Sequence, residues 1–162
     1  MGLWNETRGS NLIDGGAHFY NAYECADGKY ISVGAIEPEF YSVLAKVVDP
    51  TADLSAQHDR SKWVSEKEKY ARIFKQRTQA EWCALLENTD ACFAPVLLMS
   101  EAPSHPQYKA RGSFISHNGI TQPAPVPRYS RTVCEVAPIG IPDVSLDEVE
   151  SIWQQPKMPR PR

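Results

Sequence analysis

The stretch AHFYNAYECADGKYISVG, residues 17–34, decides how the rest of the chain is read. Phe19, Tyr20 and Tyr23 lie on one side of Ala26-Asp27-Gly28-Lys29, and Tyr30, Ile31 and Val33 on the other. These are strand formers flanking an Asp-Gly pair, whose glycine accepts positive φ in a tight turn, so the segment predicts a β-hairpin. The second strand runs out at Gly34, and Pro38 follows where a proline suits the first helical turn. Phe40, Val43, Leu44, Val47 and Val48 then recur at helical spacing until Asp49-Pro50. Residues 50–60 are polar and read as a loop. A longer helix is expected from Ser61 or Lys62, with Trp63, Tyr70, Ile73 and Phe74 on one face and Glu66–Lys69 toward solvent. Thr78-Gln79-Ala80-Glu81 is a capping box that opens a third helix with Trp82, Leu85 and Leu86 as its apolar stripe. Residues 91–99 read as a strand that Pro95 confines to an edge or a bulge.

Composition shifts after that point. Eleven of the thirteen prolines lie from Pro95 onward, so less regular structure is expected there. Residues 112–116 could add a strand, and Gln122–Arg128 (QPAPVPR), with three alternating prolines, should be extended. The prolines could serve as SH3-type ligands, but wrapping along the body is the simpler expectation. Residues 143–153 carry a weak helical pattern in Val144, Leu146, Val149 and Ile152, and residues 156–162 read as a disordered tail. A hairpin, about three helices and further short strands, followed by a proline-rich extended segment, define an α+β fold.

With 162 residues the chain can bury a core without a metal or disulfide staple. Seventeen Lys and Arg against twenty Asp and Glu give a net charge of -3, which argues against nucleic-acid binding by bulk charge. No apolar run is long enough to span a bilayer and no export signal is read at the start, so a cytoplasmic chain with no membrane partner is expected. Cys25, Cys83, Cys92 and Cys134 show no CxxC spacing and no accompanying histidine cluster, so no metal site is expected. Gly15-Gly16 lacks the strand–turn–helix setting of a phosphate loop and reads, with Asp14, as a turn. His18 sits in that glycine-rich turn and reads as a structural or surface histidine, while His58, His105 and His117 fall in expected loops.

Several separated motifs, in order, resemble the family III CoA-transferases and, within them, the α-methylacyl-CoA racemase branch. They are Gly15–Tyr20 (GGAHFY), Ala26–Tyr30 (ADGKY), Val33–Pro38 (VGAIEP), Thr78–Trp82 (TQAEW), Thr89–Val96 (TDACFAPV), Arg111–Phe114 (RGSF) and Pro123–Pro127 (PAPVP). The resemblance covers roughly residues 2–142, and even Gly2-Leu3-Trp4 and Arg8-Gly9 resemble sequence from the family's interior. It implies only the second half of such a protein: a small domain over 1–118, a return segment over 119–155 and the tail 156–162. The large domain, which the family uses to bind most of coenzyme A, has no counterpart here.

Racemising a 2-methylacyl-CoA thioester requires an acid/base group on each face of the α-carbon and a stabilised enolate. The resemblance places those groups, a histidine and an aspartate, in the large domain. One matched site residue carries over, Glu37, which in the family hydrogen-bonds the catalytic histidine. An anion beside an imidazole fixes its tautomer and raises its basicity. Read from the residues alone, Glu37 is more simply an acidic group at the start of a helix, placed to cap free N–H groups. The implied function is therefore a racemase part that needs a separately supplied large domain and is inactive alone. It has no cofactor of its own, the coenzyme A thioester being the substrate. The alternative is a stand-alone non-catalytic oligomeric or binding domain. Since family members form interlocked dimers, a homodimer that re-covers exposed apolar surface is expected in either case.

Overall fold

The computed structural model describes residues 4–136 and 145–154, without the side chain of Ile152. The expected hairpin is present: β1 (Tyr20–Glu24) and β2 (Tyr30–Gly34) pair antiparallel with Tyr23 opposite Ile31. Gly28 takes up φ 77° in the turn, and the Cys25 N–H closes it on the Lys29 carbonyl at 2.7 Å. Period-2 alternation sends Phe19, Tyr23, Cys25, Ile31, Val33 and Ala35 into the core. The opposite face carries Ala22, Ser32 and Ala94 side by side and is only lightly covered.

β3 (Phe93–Val96) completes a three-stranded sheet of order β1-β2-β3. Pro95 lies opposite Ile31 on this edge strand, where a residue without an N–H is tolerated. Helices α1 (Pro38–Val48), α2 (Trp63–Phe74) and α3 (Gln79–Leu86) supply the buried side chains that meet the sheet's inner face. Tyr23 stacks on Phe74 with centroids 5.0 Å apart, and Phe74 meets Trp82 edge-on at 4.9 Å. Both indoles are satisfied, Trp63 Nε1 donating to the Gln57 carbonyl and Trp82 Nε1 to the Phe74 carbonyl, each at 2.9 Å. Burying each of these rings contributes about 2–3 kcal/mol.

Two helix faces differ from the periodicity reading. In α1 the buried set is Tyr41, Leu44, Ala45 and Val48, with Phe40, Val43 and Val47 only partly covered. The face is turned because the Tyr41 hydroxyl finds a buried partner in His18. In α3 Leu85 is exposed and Gln79 is buried instead. The Gln79 side-chain amide donates to the Tyr30 and Val96 carbonyls at 2.6 and 3.1 Å, tying the helix start to β2 and β3. The capping box of Thr78 and Glu81 forms as expected.

The chain divides into two compact units, Met1–Leu98 and Met99–Arg162. The second holds a short helix α4 (Pro106–Ala110), an antiparallel pair β4 (Phe114–His117) and β5 (Ile120–Pro123), and α5 (Leu146–Gln154). β5 and its pairing were not read from the sequence, although Asn118 and Gly119, both at positive φ (50° and 78°), form the two-residue turn that joins the strands. The position 118 drawn as a boundary from the resemblance lies in that turn. His117 ends β4 rather than lying in a loop. Val144, read as part of the last helix, and the tail 156–162 lie outside the described residues.

Candidate functional site

Glu37 stands where β2 hands over to α1. Its backbone is extended (φ -72°, ψ 140°), Pro38 opens the helix, and the Glu37 carbonyl accepts the first helical bond from Tyr41 N–H at 2.9 Å. The segment before it is clamped on both sides. Ala35 N–H donates to the Phe19 carbonyl at 3.0 Å and Ile36 N–H to the Gly34 carbonyl at 2.9 Å. From the other side the Gln57 amide donates to the Ala35 and Ile36 carbonyls at 3.1 and 2.9 Å. Gln57 is itself 2% exposed and held by the Trp63 indole. A backbone held from both sides thus delivers the Glu37 side chain to solvent, where it is exposed.

That carboxylate does not cap α1: Glu37 occupies the N-cap position, but its side chain makes no capping hydrogen bond. The acidic-cap alternative therefore describes its backbone and not its carboxylate. The charge is felt by Cys92, whose thiol is pushed up by burial, then by Glu37 and Asp90. Cys92 sits at φ 48° and accepts the Gly34 N–H on its carbonyl at 2.9 Å, so the end of β2 and the start of β3 are locked together beside Glu37. Next to Cys92 a shallow groove of about 480 Å³ runs over the lightly covered sheet face, lined by Asp14, Tyr20, Asn21, Ser32 and Gly34 among others. Gln57 was not singled out by sequence, and Cys92 was read only as one of four cysteines without metal-ligand spacing, not as a neighbour of Glu37. Gln57 lies in a loop without periodicity, and its role depends on a contact across 22 residues.

None of the four histidines hydrogen-bonds Glu37. His18 is 1% exposed, its Nε2 3.0 Å from the Tyr41 hydroxyl, while Nδ1 has no hydrogen-bond partner. Its backbone carbonyl accepts the Tyr23 hydroxyl at 2.6 Å, and Phe19 and Tyr70 meet its ring edge-on. Burial, assisted by the charge of Lys69, pulls the imidazole down to about 4, so it is neutral at physiological pH. His18 is thus the structural histidine the sequence suggested. His58 packs on Phe19, His105 on Tyr108, and His117 closes β4.

Asp14 and Gly15-Gly16 form a turn, as read. Asp14 accepts from Asn11 N–H at 2.7 Å and from the Asn11 amide at 2.8 Å, and the Asn11 side chain holds its carboxyl below the usual range. Among the described residues, no group of three or more His, Cys, Asp or Glu side chains could hold a metal, and no helix is long and apolar enough to cross a membrane. The four cysteines are free thiols.

A three-stranded antiparallel sheet backed by three helices, with an exposed glutamate at the strand-to-helix junction, defines a small α+β module. The chain matches CoA-transferase family III over residues 3–147, and it belongs to that family. It is 44% identical over 134 residues to the α-methylacyl-CoA racemases of Mus musculus and Homo sapiens, covering 82% of this chain and 35% of each racemase. The matched region is a C-terminal part of the racemase. A CaiB/baiF CoA-transferase family protein of Caenorhabditis elegans is 32% identical over 117 residues, 70% of this chain and 33% of its own length. The chain therefore spans about a third of the length of these relatives. Among solved structures, Rv3272 from Mycobacterium tuberculosis shares the fold with TM-score 0.59 at 18% identity, over 72% of this chain and 35% of that one.

Proposed function

We propose that this polypeptide is the small-domain part of an acyl-CoA racemase of the α-methylacyl-CoA type. In this reading Glu37 is a positioning residue: its carboxylate accepts a hydrogen bond from a histidine carried by a large domain, and that histidine moves the α-proton. The observation that carries the reading is an exposed carboxylate on a clamped backbone, free of internal hydrogen bonds and without a histidine beside it. A surface acid with only a structural role would need neither the Gln57 clamp nor the Cys92–Gly34 lock at its base. The substrate is a 2-methylacyl-CoA thioester, and no cofactor takes part. The 162 residues alone do not catalyse exchange, because proton removal and return need two opposed groups and Glu37 is neither.

The test is reconstitution. The purified chain is mixed with a large-domain polypeptide bearing the family's histidine, and loss of α-deuterium from a 2-methylacyl-CoA is followed by NMR. Exchange is expected with the mixture. Glu37→Gln should lower the rate at neutral pH by about tenfold and shift the basic limb of the pH profile to lower pH, because a neutral amide supports the imidazolium less well than a carboxylate does. An unchanged pH profile in Glu37→Gln would remove the proposed role.

One observation favours the second reading, a non-catalytic oligomer. Trp4 and Ile13, 61% and 58% exposed, line an apolar groove of about 450 Å³ with Leu12 and Trp63. A self-associating domain would cover it, and light scattering of the lone chain would show a dimer.

A further inference from the structure

The second unit carries a feature that the racemase reading leaves unused. From Ala102 to Cys134 the sequence contains no Asp or Glu, yet it holds Lys109, Arg111, Arg128 and Arg131 in a chain whose net charge is -3. The fold brings two of these cations together from positions 17 residues apart. Arg111 ends α4, and the chain turns there through the Gly112 N–H to Lys109 carbonyl and Ser113 N–H to Tyr108 carbonyl bonds, 3.0 and 2.9 Å. The strand leaving β5 is pinned to the same turn by the Ala124 N–H, which donates to the Ser113 carbonyl at 2.9 Å. Arg128 then reaches back and donates one Nη2 bond to the Gly112 carbonyl at 2.7 Å.

Both guanidinium-bearing residues consequently line the same two adjoining clefts, of about 390 and 410 Å³. The first is walled by Pro125, Pro127 and Tyr129, and the second includes Ser113. Among the described residues neither Arg111 nor Arg128 forms a salt bridge. Arg128 uses one donor on Gly112 and keeps the rest of its fork free. Two arginines on the wall of one cleft, with no carboxylate among its lining residues, suit a bound anion, and the planar guanidinium fork fits phosphate oxygens two at a time.

We propose that Arg111 and Arg128 form a binding site for a phosphate-bearing anion in the second unit. The exposed Tyr129 ring at the cleft wall suits a ligand with a flat organic group attached to its phosphate. The site is independent of Glu37 and does not depend on the racemase reading.

The experiment is isothermal titration of the full chain with inorganic pyrophosphate and with adenosine 3′,5′-bisphosphate at low salt. Saturable binding of at least one probe is expected, weakened about tenfold or more in Arg111→Gln and only partly restored in Arg111→Lys, which keeps the charge and loses the fork. Tighter binding of the bisphosphate than of pyrophosphate would identify an organic phosphate; the reverse would identify a free one. Arg111→Gln is the primary variant because Arg111 makes no side-chain hydrogen bond that holds the turn, and circular dichroism checks that it folds. No saturable binding of either probe to the native chain would overturn the proposal. So would equal affinities for the native chain and a folded Arg111→Gln variant.

Discussion

Acidification should destabilise the first unit through His18, well before its carboxylates titrate. His18 is buried against Tyr41, Phe19 and Tyr70 with Nδ1 unpartnered, and the folded protein holds its imidazole at about 4. In the unfolded chain the same group titrates near its ordinary value of about 6.5. The folded pKa is depressed, so the contribution is fully present above about 6.5 and is lost as pH falls toward 4. At pH 5 the unfolded histidine is almost wholly protonated and the folded one is mostly neutral, a difference of about 2 kcal/mol. The groups around it do not offset this. Lys69 is cationic and opposes protonation, and its pairing with Asp49 leaves that carboxylate engaged elsewhere. Glu66, from α2, lines the same small cavity with Asp53 and Lys62, but none of the three hydrogen-bonds the imidazole. Urea unfolding at pH 7 and pH 5 measures the effect, with His18→Phe as the partner protein, since it keeps the ring and removes the titrating group. The native chain should lose about 2 kcal/mol more than the variant over that interval. Parallel losses in the two proteins would refute the argument.

Other substitutions test the local physics. Gly16→Ala places a β-carbon 2.5 Å from the Asn11 carbonyl oxygen, against backbone that cannot yield, and should cost about 2 kcal/mol by chemical denaturation. Thr78→Ala removes the side-chain half of the capping box, the hydroxyl that accepts the Glu81 N–H, and should cost about 1 kcal/mol, visible as earlier thermal unfolding. Gln57→Ala removes both bonds to the segment before Glu37 and leaves the Ala35 and Ile36 carbonyls unpaired. It should cost about 2 kcal/mol and speed amide exchange of residues at the start of α1, read by hydrogen-exchange mass spectrometry. Burial holds the Cys83 thiol at about 11, with Glu87 adding to the shift, so Cys83 should react with iodoacetamide at pH 8 far more slowly than an ordinary exposed thiol, as peptide mapping would report.

The sequence revealed the elements whose signals are local. The Asp27-Gly28 turn, Pro38 at a helix start, the Thr78–Glu81 box and Pro95 on an edge each act within a few residues, and each stands where it was read. It did not reveal which way the helices turn. Tyr41 and Gln79 are buried because their polar ends meet His18 and the strand carbonyls, contacts that span 23 and 49 residues and leave no trace in periodicity. The β4–β5 pair was legible in Asn118-Gly119, but the proline-rich composition around it masked the signal. At the site, Glu37 was legible only through resemblance. Its rigid mounting on Gln57 and its coupling to Cys92 came from the fold, because one depends on a loop glutamine and the other on a residue at positive φ.

The decisive measurement is deuterium uptake at the α-carbon of a 2-methylacyl-CoA in heavy water, with the purified 162-residue chain as the sole protein. The account predicts incorporation at the buffer rate and no change in optical rotation, with uptake rising only when a histidine-bearing large domain is added. Turnover above background by the chain alone would contradict it.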